Sequence, residues 1–269
     1  MRRLLPYVLL TAFTAVILVP FVLIALTAFK TQAELAAGVF TLPQSLEWGN
    51  FATAWTEGRF GVYFLNSIIV VVPVVAVSLL LCTLAGYAFA HLPLPGRGAL
   101  LALLLLGMVI PLEGLIIPMY YNLRGVGLLN TYWAMILPQV ALSIPFGTYL
   151  MWITFQGLPD EIVDAAVVDG ATRSVVLWRI LIPMARPTLG ALTVFFFIWT
   201  WNEFLIPLVL ITDDALRTLP VGLAFFQGRY TANIPVLAAG ATVVAAPLIV
   251  VYIIFQRQFI RGLVAGAVK

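Results

Sequence analysis

Long, continuously apolar runs constrain the fold of this chain more than any other feature. Six of them lie at about residues 6–28, 62–90, 99–121, 131–155, 187–210 and 236–255. Each offers the roughly 20 residues that a helix needs to cross a hydrocarbon core of about 30 Å. Because the runs are not alternating, helices are favoured over a barrel. The sequence therefore predicts an all-α membrane protein with six transmembrane helices, organised as a single transmembrane domain over residues 1–269.

The basic residues predict the orientation in the membrane. With the N-terminus inside, nine Lys and Arg residues fall on cytoplasmic segments and five fall on outer segments. The nine are Arg2, Arg3, Arg97, Arg173, Arg179, Arg186, Arg257, Arg261 and Lys269. The positive-inside rule then places both termini in the cytoplasm. A cleaved signal peptide is the alternative for the first run, although that run is longer than the usual h-region of roughly 7–15 residues.

Residue counts exclude several activities. The two lysines, Lys30 and Lys269, lie outside any GxxxxGK[ST] loop, so the chain cannot bind ATP through a Walker A motif. One histidine, His91, and one cysteine, Cys82, cannot form a common zinc site or an internal disulfide. The sequence thus predicts no catalytic residue, metal or cofactor in this chain. The net charge of +3 follows from membrane topology and does not indicate nucleic acid binding.

A polar segment at 156–186, QGLPDEIVDAAVVDGATRSVVLWRILIPMAR, interrupts the apolar pattern. Pro159 suits the first turn of a helix, and acidic residues after it suit the positive end of the helix dipole. Gly170 can end this helix in the left-handed conformation. A second helix is expected to begin with Thr172 or Ser174 as N-cap and to stop at Pro183. We expect the first helix to bury an apolar stripe of Ile162, Val163, Ala166 and Val167.

The spacing within this segment resembles a family signature. DAA at 164–166, Gly170 and ILIP at 180–183 are similar to the EAA…G…IxLP motif of permease subunits in binding-protein-dependent ABC importers. Asp164 replaces the usual Glu, and Ile182 replaces the usual Leu. In that family the segment is a coupling helix that docks in a cleft of a separate ATPase subunit; a structured loop without a partner is the alternative. The resemblance implies that the ATPase-coupling residues are Glu161, Asp164, Ala165, Ala166, Asp169, Gly170, Ala171, Ile180 and Pro183.

Further segments of the sequence resemble permeases of the carbohydrate-uptake branch, and in particular the MalG-type subunits of maltose-like systems. They are Asn66-Ser67, Pro111 and Pro118, GLLNT at 127–131, WNEF at 201–204 and the tail at 256–269. The resemblance implies a type I ABC importer transmembrane fold, with five core helices within about 62–256 and a peripheral first helix. It also implies a second permease subunit, two ATPase subunits that bind ATP and Mg, and an extracytoplasmic solute-binding protein. The expected location is a bacterial or archaeal cell (inner) membrane.

Two carboxyl groups, Glu113 and Glu203, fall inside the predicted spans. An ionised group at mid-membrane costs about 2.5–3.5 kcal/mol on insertion scales, so each is expected to face protein or a wet cavity. One interpretation is a sugar translocation path that includes these acids with Tyr120, Trp201 and Asn202. The alternatives are that the aromatic residues mark the membrane interface, and that either acid caps a helix broken near Pro111 or Pro207.

The predicted function is that of a permease subunit of an ATP-driven importer of mono- or oligosaccharides. An ABC importer for an amino acid, a peptide or a polyamine is the nearest alternative. An ion-coupled secondary transporter would explain the intramembrane acids, but inverted repeats are its signature and no convincing repeat is visible. An intramembrane enzyme would need a nucleophile–base or metal constellation, which the residue inventory lacks.

Overall fold

The computed structural model describes residues 4–229 and 233–267, with side chains over 5–228 and 233–257. Within these ranges the chain is helical and contains no β-strand. The helices are α1 (Leu4–Ala28), α2 (Gln32–Ala37), α3 (Gly49–Thr56), α4 (Phe60–His91), α5 (Arg97–Leu106), α6 (Leu112–Gly125), α7 (Tyr132–Gln156), α8 (Asp160–Val168), α9 (Arg173–Met184), α10 (Arg186–Asn202), α11 (Leu205–Leu210), α12 (Leu219–Arg229) and α13 (Ile234–Ala267). Arg2, Arg3, Lys269 and the side chain of Arg261, which entered the orientation argument, lie outside the described residues.

Four of these helices, α1, α4, α7 and α13, are long and apolar enough to cross a membrane. A fifth span is present if α9 and α10, which meet at a bend of 76°, are counted together. The all-α prediction is therefore confirmed, but two of the predicted runs are not continuous helices. The run at 99–121 is divided into α5 and α6, and the run at 187–210 is divided into α10 and α11.

Proline accounts for both interruptions. A proline lacks the N–H that would bond to the carbonyl four residues earlier, and its ring crowds that carbonyl. For Pro111 the affected carbonyl belongs to Gly107, where α5 has just ended; for Pro207 it belongs to Glu203, where α10 has just ended. Non-helical backbone at membrane depth is tolerated where protein or a wet cavity covers it.

The described chain divides into two compact units. Unit 1 is Met1–Leu65 with Thr218–Pro247, and it contains α1 to α3 and α12. In the apolar window of α1, none of the residues is buried. Only the end of α1 is packed, where Ala28 is fully buried beside Ala239 of α13.

A buried cation organises the polar loop that follows α1 in unit 1. Lys30 is fully buried, and its Nζ donates hydrogen bonds to the carbonyls of Gly38 at 3.1 Å and Val39 at 2.8 Å. The Asn50 side chain donates to the Ala28 carbonyl at 2.9 Å and the Lys30 carbonyl at 2.8 Å. These bonds satisfy groups that would otherwise be costly to bury, and they fix the loop against α3.

Unit 2 is Asn66–Arg217 with Leu248–Lys269, and its described residues include two hydrophobic cores. One core joins α4, α6, α7 and α11 around Ile116, Met135 and Ile206. The other joins α4, α7, α9 and α10, and it extends to α8 through Ala166. The polar segment is thus built onto the second core. The predicted single domain with a core at about 62–256 stays a prediction, since the described residues form these two units.

Candidate functional site

The first helix of the polar segment, α8, begins directly after Pro159. This proline has an extended backbone with ψ 127° and acts as the N-cap, one position earlier than the expected first turn. Asp160 and Glu161 occupy the first turn, where their negative charges favour the positive end of the helix dipole. Charge and backbone geometry therefore start the helix here without a side-chain capping bond.

The end of α8 is a two-bond turn centred on glycine. The Ala171 amide donates to the Ala166 carbonyl at 2.9 Å, and the Gly170 amide donates to the Val167 carbonyl at 3.0 Å. This is the Schellman pattern, which requires a left-handed residue at the position of Gly170. Gly170 has φ +81°, so the predicted role of this glycine is confirmed.

The second helix, α9, differs from the prediction in two respects. Thr172 is the N-cap as expected, and its hydroxyl accepts a bond from the Val175 amide at 3.4 Å. Residues 176–181 are π-helical, which the sequence did not predict. The helix also continues through Pro183 to Met184 instead of stopping at Pro183. The last π-type bond runs from the Ile182 amide to the Leu177 carbonyl, so the missing N–H of Pro183 falls just beyond the π segment. Such segments are frequent at functional sites.

The polar segment has a buried face and an exposed face. Ala166 of α8 and Val176, Leu177 and Leu181 of α9 are buried in the core that they share with α7 and α10. Val167 was expected in the apolar stripe, but it is 59% exposed because it points away from this core. The prediction for Val167 is therefore wrong.

The exposed face of α8 carries acidic and apolar residues together. Glu161, Asp164, Ala165 and Val168 are exposed and follow the i, i+3, i+4, i+7 spacing of one helix face. Val168 is 87% exposed and lies in neither of the hydrophobic cores described above. This face of α8 therefore presents a valine beside the carboxylates of Glu161 and Asp164.

The predicted coupling residues are divided between these two faces. Asp169 and Gly170 lie with the exposed residues at the end of α8, whereas Ala171 and Ile180 are half-buried against the core. Pro183 is half-buried in α9. The structure brings the set into one segment with one surface toward the protein and one surface free. Its coupling role stays a prediction.

A second candidate site surrounds the break between α10 and α11. Glu203 is half-buried, and its Oε1 accepts a hydrogen bond from the Ile206 amide at 3.0 Å. It thus caps the first turn of α11, which is one of the two roles that the sequence left open. Glu203 also lines a cavity of about 70 Å³ together with Gln139, Ser143, Trp199 and Thr200.

Gln139 is a polar residue that the sequence reading missed. It is buried in the middle of α7, and its Nε2 donates to the Met135 carbonyl at 3.0 Å. An amide inside an apolar run is the signal that could have identified it, because polar groups at membrane depth usually face a cavity or a partner.

The other four residues of the predicted path are not among the residues that line this cavity. Trp201 is 1% exposed and stacks on Phe197, with ring centroids 5.5 Å apart. Asn202 is exposed, and its side chain donates to the Ile198 carbonyl at 2.8 Å. Glu113 is exposed in the first turn of α6, and Tyr120 is half-buried beside Tyr121. That these residues line a sugar translocation path stays a prediction.

Two asparagines fix the loop between α11 and α12. Asn66, which is 3% exposed, donates to the carbonyls of Ala215 at 2.8 Å and Arg217 at 2.9 Å. The Tyr132 hydroxyl donates to Asn66 Oδ1 at 2.7 Å, so the Asn66 amide is fully engaged. The resemblance had pointed to Asn66 without giving it a role.

The second asparagine, Asn130, acts on the start of the same loop. Its Oδ1 accepts bonds from the amides of Thr212 at 2.6 Å and Asp213 at 3.1 Å. Asn130 has φ +56°, a left-handed conformation that asparagine tolerates better than most residues. The GLLNT sequence therefore forms a tight turn, and its asparagine accepts the hydrogen bonds that fix the neighbouring loop.

Long apolar helices, together with a polar segment that has one face buried and one face exposed, are typical of a membrane transport permease. Residues 59–264 match the family described as "Binding-protein-dependent transport system inner membrane component", and the chain belongs to this family.

The chain is also similar to individual members over nearly its whole length. It is 34% identical to the diacetylchitobiose uptake system permease protein NgcG of Streptomyces coelicolor, over 98% of this chain and 86% of that protein. It is 36% identical to the arabinooligosaccharides transport system permease protein AraQ of Halalkalibacterium halodurans, over 96% of this chain and 94% of that protein. A chain in the crystal structure of a bacterial alginate-importing ABC transporter matches with a TM-score of 0.81 and 25% identity, covering 95% of each chain.

These findings confirm several predictions. The resemblance to carbohydrate-uptake permeases, the type I importer fold and the inner-membrane location agree with the family and its members. The chain is a transport subunit, and family membership does not support an ion-coupled carrier. The orientation of the termini stays a prediction.

Proposed function

We propose that this chain is one of two permease subunits of an ATP-driven sugar importer, coupled through residues 156–186 to a separate ATPase. The exposed face of α8 is the observation that carries the proposal, since it combines carboxylates with an apolar residue that its own fold leaves uncovered. The transported class is mono- or oligosaccharide, because the relatives named above are permeases for chitobiose derivatives and arabinooligosaccharides.

The geometry of the polar segment suits a mechanical link. The Schellman turn at Gly170 holds α8 and α9 in a fixed relation, and Ala166 joins α8 to the core that also contains Leu181. Close-packed protein interiors transmit strain, so movement of a docked partner would be passed to α7 and α10. ATP binding and Mg ligation then belong to the two ATPase subunits, and both termini of this chain lie on their side of the membrane.

The cavity at Glu203 is the candidate for sugar contact. Carboxylate and amide groups from Glu203 and Gln139 can bond hydroxyls, and Trp199 offers an aromatic face at 45% exposure. However, about 70 Å³ is below the roughly 300–1,000 Å³ of ligand pockets. A second permease subunit must therefore supply the rest of the path, and an extracytoplasmic solute-binding protein would deliver the sugar to it.

Substitutions on the free face of α8 test the coupling. Asp164→Lys reverses a charge on the exposed face of α8. Gly170→Trp adds bulk where no described atom lies within 4 Å, but it also replaces the glycine of the left-handed turn and therefore needs a folding control. In proteoliposomes that contain the whole transporter, we expect both variants to insert normally into the membrane. The amount of sugar taken up per ATP hydrolysed should fall to a small fraction of the wild-type value.

Two controls separate docking from folding. Gly170→Asn keeps a residue that tolerates the left-handed conformation and should retain transport, whereas Ser174→Lys adds a charge at an exposed position outside α8 and should also transport normally. Normal uptake per ATP in Asp164→Lys at normal protein level would contradict the proposed coupling surface.

A further inference from the structure

A cluster of three aromatic rings joins the end of α4 to the end of α7. His91 is the last residue of α4, and its ring centroid lies 5.5 Å from that of Tyr87 and 6.4 Å from that of Phe155. The rings of Tyr87 and Phe155 are 6.4 Å apart and stand at right angles to each other. Phe155 is fully buried, so the cluster belongs to the interior of unit 2.

The cluster lies at the base of α8. Phe155 is the last residue but one of α7, and residues 157–159 form the whole connection from α7 to α8. The Leu158 amide donates to the Phe155 carbonyl at 3.3 Å, which keeps this connection tight. Asp160, the first residue of α8, is the charged group that acts on the His91 ring. His91 thus lies where α4, α7 and the start of α8 come together.

One ring atom of His91 is left without a partner. Its Nε2 is buried and makes no hydrogen bond to any residue that the structure describes, although the residue as a whole is half-buried. Most buried polar atoms are hydrogen-bonded, so an exception needs an explanation. Because this chain already covers Nε2, neither another subunit nor lipid reaches the atom, and the explanation has to come from the cluster itself.

The protonation state of the ring supplies that explanation. Histidine is the side chain that ordinarily gains its proton between about pH 5 and 8. A neutral ring packs beside Tyr87 and Phe155 at the cost of one unpaired nitrogen, whereas a charged ring would bury an unpaired N–H donor and part of a unit charge.

The groups that face the ring do not remove this cost. The titratable ones among the described residues are Tyr87 of α4 and Asp160 of α8, and α7 presents the apolar ring of Phe155. Asp160 is exposed, so water screens its charge and it offsets the burial of a charged ring only in part. The packed arrangement therefore requires the neutral form of His91.

We propose that the neutral imidazole of His91 positions the base of α8 against α4 and α7, and that acidification on the α8 side of the membrane releases it. On gaining a proton the ring leaves the cluster for water and for the carboxylate of Asp160. The connection between α7 and α8 then loses one of its packing contacts. A lower sugar uptake per ATP is expected only if α8 is the coupling helix of the proposed function, whereas the release itself does not depend on that function.

Hydrogen exchange of the α7–α8 connection tests the release. The whole transporter is placed in nanodiscs, and the protection of residues 155–163 is measured from about pH 7.5 to about pH 5.5, with rates corrected for the intrinsic effect of pH. One proton taken up by a ring that titrates near pH 6.5 once released should lower the protection severalfold, up to roughly tenfold.

Two variants without a titrating ring are the first controls. His91→Phe keeps an aromatic side chain beside Tyr87 and Phe155 but takes up no proton, so the protection of residues 155–163 should stay constant over the same range of pH. His91→Gln covers the case in which the larger ring of phenylalanine does not fit, and its protection should be equally independent of pH.

Two carboxylates of the first turn of α8 separate the ring from a general effect of acid. A nearby negative charge favours the charged imidazole, so Asp160→Asn should move the fall in protection to lower pH. Glu161→Gln removes a carboxylate from the same turn that does not act on the ring, and it should leave the midpoint of the fall unchanged.

Sugar uptake per ATP hydrolysed tests the consequence for transport. In proteoliposomes, with the pH set on the side that contains ATP, the wild type and His91→Phe should agree at about pH 7.5. At about pH 5.5 the wild type should fall severalfold below His91→Phe. A fall in protection without a fall in uptake per ATP would support the release and contradict the proposed coupling function. Constant protection in the wild type, or the same response to pH in His91→Phe, would overturn the proposal.

Discussion

Gly86 of α4 is the position where a single added methyl group should disturb unit 2 most. A Cβ atom at Gly86 would lie 2.5 Å from the Cβ of Met151, 2.9 Å from the amide nitrogen of Trp152 and 3.0 Å from the carbonyl carbon of Met151. These atoms belong to the backbone and first side-chain carbon of α7, so no rotamer change can move them. Close approach at small residues is how helices pack in membranes.

The cost of Gly86→Ala can be worked out from this contact. Ordinary contact begins at 3.4 Å, so α4 and α7 must separate by about 1 Å. A gap of about 0.5–1 Å forfeits a quarter to a half of the dispersion energy of a facing side chain, which is roughly 1–6 kcal/mol for about 40–60 atom contacts. Partial relaxation limits the cost of overpacking to about 1–3 kcal/mol in most cores, and the backbone contacts here place Gly86→Ala at the upper end of that range. We therefore expect Gly86→Ala to lower the free energy of unfolding by about 3 kcal/mol.

The chain contains its own reporter for this experiment. Cys82, one turn before Gly86, is the only cysteine in the sequence and is fully buried in the same core. Reaction of this chain with a fluorogenic maleimide during heating should therefore follow the loss of the α4–α7 contact. At about 2–4 °C per kcal/mol, the midpoint of Gly86→Ala should fall by roughly 6–12 °C.

Gly98→Ala is the matched control. Gly98 lies in α5, and no described atom lies within 4 Å of a Cβ added there. The free energy of unfolding of Gly98→Ala should therefore equal that of the wild type or exceed it by up to about 1 kcal/mol. If Gly86→Ala exposes Cys82 at the wild-type temperature, then α4 and α7 do not approach as closely as stated and the packing argument fails.

Three further predictions concern polar contacts. Asn66→Asp places carboxylate oxygens against the carbonyls of Ala215 and Arg217, which should cost about 2–4 kcal/mol and lower the temperature at which the chain's thiol reacts. Lys30→Met leaves the carbonyls of the following loop without their donor and should increase protease cleavage there while uptake per intact transporter is retained. Backbone hydrogen bonds to Glu34 lower the pKa of this carboxyl below its ordinary 4.5, so its stabilisation of the loop is complete above pH 4.5 and is lost as the pH falls through the lower folded pKa. The rate of hydrogen exchange of residues 31–44 should rise only in that acidic range. Glu34→Gln should raise this rate already at neutral pH and should remove its dependence on pH.

The sequence predicted helices more reliably than it predicted their interruptions. Pro111 and Pro207 accompany breaks, but Pro138 and Pro145 lie inside the continuous helix α7. A proline within a membrane helix is tolerated when neighbouring groups satisfy the freed carbonyl, and those neighbours come from distant parts of the chain. The outcome at each proline therefore depends on tertiary packing, which local sequence does not contain.

The functional residues show the same division between local and distant causes. The turn at Gly170 was predictable because a left-handed helix end depends on glycine itself. The roles of Asn66 and Gln139 were not, since each depends on partners that the fold brings together. Asn66 donates hydrogen bonds to carbonyls that lie 149 and 151 positions further along the chain. Residue type marked both as unusual in apolar helices, but only the structure assigned their contacts.

Three positions of the predicted coupling motif, Gly170, Ala166 and Asp164, differ in what determines the residue found there. Gly170 is required by the left-handed turn, and Ala166 must be small because it is buried where α8 meets α9 and α7. The acidic position, Asp164, has no contact of its own within the described core and lies on the free face. Under the proposed function, the ATPase surface rather than folding sets the identity of this residue. Asp164→Glu should leave the stability of the chain unchanged within about 0.5 kcal/mol while altering coupling, whereas Ala166→Leu should destabilise the chain by about 1–3 kcal/mol through overpacking. Equal effects of the two variants on stability, measured by Cys82 reactivity, would refute this assignment of roles.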